Sequence, residues 1–172
     1  MDKDSTDRVI CFLYCVTDGI IKMSPEVKGL VQTSSNLGRV YSEDKIVIFT
    51  FLMRSSVNTQ NSDTYVKMDR LVRSLGGYAE KESQYSAWEY KSDSKLRDVM
   101  VEAYKTVYNE EPRVEAIHAG LECGILSGKM PGLDCISFGP DLNDIHTPAE
   151  RLHIASVART WDLTVETLKQ LR

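Results

Sequence analysis

The residues best suited to chemistry lie between Ile117 and Glu150. A glycine-rich run, His118-Ala119-Gly120-Leu121-Glu122-Cys123-Gly124, is followed by Ser137-Phe138-Gly139-Pro140 and then by Asp144-Ile145-His146-Thr147-Pro148-Ala149-Glu150. His118 and Glu122 are four apart, the spacing at which a helix face presents two metal ligands, but the intervening Gly120 reads as a turn into a helix. Such a turn has its own use, because the N–H groups of Gly120 and Leu121 at a helix N-terminus can hold a carboxylate. A purely structural strand-to-helix turn fits those residues equally well. His146 follows the loop at Gly139-Pro140, where an imidazole can ligate zinc, act as a base or simply be solvated. Glu150 can orient a neighbour or cap the next segment, and His153, between Leu152 and Ile154, reads as structural. Ser137 and Cys123 sit in no Gly-x-Ser-x-Gly elbow and have no ordered triad partners.

The elements that position these residues follow from periodicity. Val9 to Val16 is densely apolar and reads as a buried helix with Asp4 or Ser5 as cap and Asp18-Gly19 as stop. Val27–Ser35 and Lys45–Met53 are β-rich and read as a hairpin turning through Tyr41–Asp44. Tyr65, Met68, Leu71, Val72 and Leu75 recur at helical spacing behind Ser62 as cap, with Gly76-Gly77 as the left-handed exit. Tyr78 to Tyr90 returns to an extended pattern, which gives one antiparallel sheet with helices on one side.

After a boundary placed at residues 83–84, the pattern changes. Leu96 to Tyr108 follows the 3.6-residue period and ends at Glu110-Glu111-Pro112. Val114–His118, Leu121–Lys129 and Asp134–Phe138 then read as strand, helix and strand, the βαβ unit of a parallel sheet. A last helix is expected from Ser156 as N-cap, with Val157, Trp161, Val165, Leu168 and Leu171 on its inner face. The fold class is therefore α/β: an α+β part with an antiparallel sheet over residues 1–83, followed by a βαβ part over residues 84–172.

Composition narrows the function classes. The 172 residues are 42% hydrophobic and 27% charged with a formal charge of -4, and the charges are spread without a basic stripe. Nucleic acid and anionic membrane surfaces are therefore poor partners. Four cysteines, Cys11, Cys15, Cys123 and Cys135, form neither a zinc cage nor a disulfide framework, and a reducing cytoplasmic setting fits them. Cys11 and Cys15 share a helix face, where core packing is the expected role. The N-terminal residues lack the pattern of a secretory signal, and no apolar run is long enough to span a bilayer.

Ala116 to Gly124, Gly132-Leu133-Asp134 through Pro140, and His146 to Arg151 resemble the C-terminal part of aminoacyl-histidine (Xaa-His) dipeptidases of the di-zinc aminoacylase and carboxypeptidase clan. Ile154-Ala155-Ser156-Val157 and Trp161-Asp162-Leu163 fit as well. Upstream, Val31 to Gly38 and Met53 to Ser56 resemble the second half of that family's lid domain. The likeness covers nearly the whole chain. It implies a cytosolic metallopeptidase with two zinc ions that hydrolyses dipeptides such as β-alanyl-histidine, with a lid often used for homodimerisation.

Carried over by residue, the resemblance makes His146 a zinc ligand and Arg54 the contact for the substrate's carboxylate. It makes His118, Gly120, Leu121 and Glu122 part of the substrate-pocket loop. The family's usual Tyr-Pro-Gly-Trp is Tyr85-Ser86-Ala87-Trp88 here, at the passage from lid to catalytic domain. The family's other metal ligands and its general base belong to an N-terminal half absent from this chain, which alone is expected to be inactive. The alternative expectation is a non-catalytic binding or dimerisation module derived from that family.

Overall fold

In a computed structural model the described residues are 1–172 except Gln84, Tyr85, Ala119 and Gly120. The chain divides into two compact units: Met1–Tyr90 with Ala116–Gly128, and Lys91–Glu115 with Lys129–Arg172.

The first unit is built on a three-stranded antiparallel sheet, β1 (Gly19–Met23), β2 (Val31–Glu43) and β3 (Ile46–Ser55), in that order, with helices α1 (Lys3–Cys15) and α2 (Asn58–Ser74). The expected hairpin forms between β2 and β3, but β2 is Val31–Glu43 instead of Val27–Ser35 and its ladder runs through Tyr41–Glu43, where the sequence predicts the turn. It closes at Asp44-Lys45, where Asp44 takes the left-handed backbone (φ 50°) that tight hairpin turns demand. Phe12 of α1 is buried against Phe49 and Phe51, side chains from one face of β3. The remaining expected burial of α1 does not occur: Ile10, Leu13 and Tyr14 are exposed, and so are Cys11 and Cys15, which do not pack in a core. Its cap is Asp2, whose carboxylate accepts from the Ser5 N–H at 2.8 Å.

The helix read from Tyr65 to Leu75 is α2, which begins earlier, at Asn58, without a side-chain cap. Its exit is as expected. Gly76 has φ +82°, and the Gly77 N–H donates to the Val72 carbonyl at 2.9 Å, the bonding of a Schellman end. The described residues of 78–90 form no strand; the third strand of the sheet is β1, from the Gly19–Met23 stretch that follows α1.

Residues 116–128 complete this unit. Helix α4 (Glu122–Lys129) carries Gly124 and Gly128 one turn apart, and a Cβ on Gly124 would stand 2.6 Å from the Ser86 carbonyl oxygen. A Cβ on Gly128 would stand 2.7 Å from Ser86 Oγ. The glycines let Ser86 lie directly on the helix. Ala87 N–H donates to Asn58 Oδ1 at 3.0 Å, tying that segment to the start of α2. Ser86 and Ala87, which depart from the resembled motif, are thus accommodated, while Tyr85 lies outside the described residues.

In the second unit α3 (Lys95–Tyr108) packs on α5 (Ile154–Gln170). Ser94 Oγ accepts from the Arg97 N–H and donates to Asp134 Oδ1, while Asp134 Oδ2 accepts from the Leu96 N–H at 2.9 Å. Partial burial alone would push the Asp134 carboxyl up. The Leu96 amide, the Ser94 hydroxyl and the charges of Lys91 and Arg97 outweigh it, and the net shift is downward.

The fold is a mixture of helices and antiparallel sheet. The parallel pairing expected within the βαβ reading is not formed. Residues 114–118 and 134–138 carry no ladder, and the strands here are β4 (Leu142–Asn143) and β5 (Arg151–Leu152), paired antiparallel. Periodicity supplies apolar runs but not the neighbouring strands a parallel ladder needs on its flanks. The face of α5 is also reversed. Ser156, Leu163 and Thr167 are its buried residues, whereas Val157, Trp161, Leu168 and Leu171, expected inside, are exposed. His153, not Ser156, is the N-cap.

Candidate functional site

Two candidate regions emerge, one in each unit. In the first, β2 begins with Gln32-Thr33-Ser34-Ser35, polar yet largely buried: Thr33 and Ser35 are 1% exposed. Thr33 Oγ1 and Ser55 Oγ bond across the hairpin at 2.9 Å. Ser34 stands opposite Arg54 in the ladder, on the sheet face away from Phe49 and Phe51. Over that position lies His118, whose Nε2 is 2.7 Å from Ser34 Oγ.

Burial lowers the His118 pKa first, and the Arg54 charge lowers it further, against a backbone hydrogen bond at Val31 that raises it. The ring is therefore neutral at pH 7, able to donate from one nitrogen and accept at the other. Arg54 is exposed, and its guanidinium has no carboxylate partner among the described residues. An unpaired planar cation beside a hydroxyl and a neutral imidazole suits a carboxylate, which can take two parallel N–H bonds from the fork.

The remaining expected pocket residues are placed less fully. Leu121 is half-buried and Glu122 is exposed in the first turn of α4, so His118 and Glu122 do not share a helix. The helical metal pair is therefore not formed. Gly120 lies outside the described residues.

In the second unit, His146 sits in the loop joining β4 to β5, exposed and with φ 64°. Its N–H donates to Glu150 Oε2 at 3.1 Å, so Glu150 holds the histidine's backbone. Arg151 pairs with Asp144 at 2.6 Å, and Thr147 Oγ1 donates to the Asp144 carbonyl. No hydrogen bond holds the His146 ring among the described residues. Among the described residues no group of three His, Cys, Asp or Glu side chains could hold a metal ion. A zinc site needs about four ligands, so these residues alone do not fit one. His153, expected to be structural, is exposed and lies 3.9 Å from Asp141.

Sequence reading identified Arg54 and His118 but gave Ser34 no role of its own. The available signal was the polar run Gln32 to Ser35 inside a strand, opposite Arg54-Ser55, where apolar residues are the rule for buried positions.

No family model matches the chain. It is 34% identical over 167 residues to the cytosol non-specific dipeptidase of Escherichia coli K12, an alignment covering 97% of this chain and 34% of that protein. The aminoacylhistidine dipeptidase of Vibrio alginolyticus has a crystal structure that superposes with a TM-score of 0.86 at 31% identity, covering 98% of this chain and 34% of that one. An aminopeptidase, PepT of Bacillus cereus, superposes with a TM-score of 0.72 at 17% identity, over 96% of this chain and 45% of that one, a likeness of fold. The two relatives above 30% identity carry dipeptidase names, and the chain spans about a third of the length of each.

Proposed function

We propose that this chain is the C-terminal portion of a zinc-dependent Xaa-His dipeptidase and carries its contacts to the substrate carboxylate. The observation that carries the reading is the Arg54 guanidinium, without a carboxylate partner among the described residues, beside the Ser34–His118 pair. Arg54 holds the carboxylate of a dipeptide such as β-alanyl-histidine by its two-pronged donor set, and His118 and Ser34 order it. Leu121 and Glu122, with Gly120 outside the described residues, are offered as further contacts to the same carboxylate on the strength of the resembled pocket loop. His146 is offered as one zinc ligand, and the missing N-terminal half supplies the remaining ligands and the general base. When bound, zinc would polarise the peptide carbonyl and activate water.

In this reading residues 1–83 are the latter half of the lid and residues 84–172 the closing segment of the catalytic domain. β3 is an edge strand, which supports homodimerisation through the lid. The E. coli relative's name supports a cytoplasmic setting, and no helix among the described residues is long and apolar enough to cross a membrane.

The test has two parts. Titration of β-alanyl-histidine into the chain, followed by nuclear magnetic resonance, is expected to move signals of Arg54 and His118, and Arg54→Ala is expected to remove the response. Hydrolysis with added zinc is expected to be absent. Turnover that disappears in His146→Ala would refute the assignment of an inactive portion. A second reading is a binding or dimerisation module, in keeping with the absence among the described residues of three side chains that could hold a metal ion. That module would be monodisperse alone and would bind the dipeptide without zinc.

A further inference from the structure

Cys11 and Cys15, expected to pack in a core, stand instead in solvent on α1, both free of disulfides. Four residues apart in one continuous helix, they are neighbours on the same face, one turn above the other. Cys15 is near enough to share a side-chain hydrogen bond with Cys11. That bond is the first cause pushing the Cys11 thiol up, ahead of desolvation and the charge on Cys15. The pair thus presents two adjoining sulfurs to solvent, with the Cys11 thiol protonated at neutral pH.

Spacing decides among the uses of two neighbouring sulfurs. Residues i and i+4 of a helix hold their Cβ atoms about 5–6 Å apart, whereas a disulfide needs about 3.5–4.5 Å. Closing a disulfide would therefore require the end of α1 to unwind. An ion between the sulfurs meets no such conflict: with thiolate–metal bonds of about 2.3 Å, the length found at zinc, a linear ion spans sulfurs up to about 4.6 Å apart. The number of donors then selects the ion. Among the described residues no third His, Cys, Asp or Glu side chain joins the pair, and zinc takes about four ligands. Calcium and magnesium take oxygen donors. A soft ion satisfied by two thiolates remains, and among the soft ions that thiolates select, copper(I) is the one that two ligands in a line can hold.

We propose that Cys11 and Cys15 form a surface site on α1 for a two-coordinate soft ion, copper(I), with one thiolate ligand from each residue. On binding, each S–H bond gives way to an S–Cu bond, the two protons pass to solvent, and copper keeps its oxidation state. The helix holds the donors in place. Its first turn is capped by Asp2 at the Ser5 N–H, and Phe12, buried against Phe49 and Phe51, fixes its rotation on the sheet while both cysteines stay exposed. Ser34, Arg54 and His118 take no part in this site.

The test uses the whole reduced chain under argon, mixed with the coloured copper(I)–bicinchoninate complex, and the fall in colour measures the copper transferred. One copper per chain is expected. Cys11→Ser and Cys15→Ser should each weaken transfer by about a hundredfold, the gain lost when one of two ligands on a common scaffold is removed. Cys123→Ser and Cys135→Ser should take copper as the unaltered chain does. Circular dichroism checks that α1 persists in each variant, and Cys11→Ala and Cys15→Ala replace the serine variants if it does not, alanine being the better helix former.

Copper taken equally by the Cys11→Ser, Cys15→Ser double variant would be an adventitious ion only and overturns the site. One copper per two chains, a bridge between copies instead of a chelate on one helix, overturns it as well. The dipeptide titration involves neither cysteine, so failure of the functional reading is seen separately.

Discussion

His118 and His146 are held in opposite ways. His118 is fixed by its ring: Nε2 on Ser34, partial burial, and a cationic neighbour that keeps it neutral. His146 is fixed by its backbone, through Glu150 and a left-handed φ, while its ring is free of hydrogen bonds among the described residues. A side chain bonded in advance is suited to orienting a ligand that arrives from solution. A side chain presented but unbonded is suited to a contact completed by other groups. In the proposed function the first region binds the substrate carboxylate within one unit, and the second contributes one ligand to a set.

The largest effect that would sharpen this contrast is on dipeptide binding. Arg54→Ala is expected to weaken β-alanyl-histidine binding tenfold or more, consistent with removing a charged hydrogen-bonding contact worth about 1.5–3 kcal/mol, while His146→Ala leaves it unchanged. Equal losses in calorimetric titrations of the two variants would break the distinction. Next comes α4, the helix that follows His118 in the chain. Gly124→Ala drives a Cβ toward the Ser86 backbone, which cannot rotate away as a side chain would. A loss of about 1–3 kcal/mol in denaturant unfolding is expected, with dipeptide affinity falling alongside it.

Asp134→Asn offers a matched control in the other unit. It weakens the charge-assisted cap of α3 by about 1 kcal/mol and should leave dipeptide binding alone. Because the Asp134 pKa is depressed on folding, its contribution is present above the ordinary carboxylate range and is lost as pH falls through the folded value. For His118 the sign is the same, in a higher pH window. Its folded pKa lies below the ordinary 6.5, so the unfolded chain takes the proton first, and stability falls as pH drops below 6.5. Unfolding curves between pH 5 and 8 (roughly the range in which histidines titrate) should lose this slope in His118→Gln.

Local patterns made the hairpin, α2 with its glycine exit, and α3 legible in the sequence, because each is specified by residues close together in the chain. What could not be read depends on partners far away. The stretches 114–118 and 134–138 have strand composition but no flanking strand, and the apolar stripe of α5 was assigned inward because periodicity identifies a face without saying what lies against it. At the candidate site the sequence pointed to Arg54 and His118 through a resemblance. Their meeting over Ser34 depends on a β-ladder register and on a segment returning 84 residues later.

The left-handed backbone at His146 has a practical consequence for anyone who would improve this protein's robustness. A glycine there removes the steric penalty of a side chain at φ 64°, and because that ring contributes no hydrogen bond to the described structure, His146→Gly is expected to raise the melting temperature slightly, by the equivalent of about 0.5–1 kcal/mol. A thermostability screen would therefore select the one substitution that deletes the candidate metal ligand.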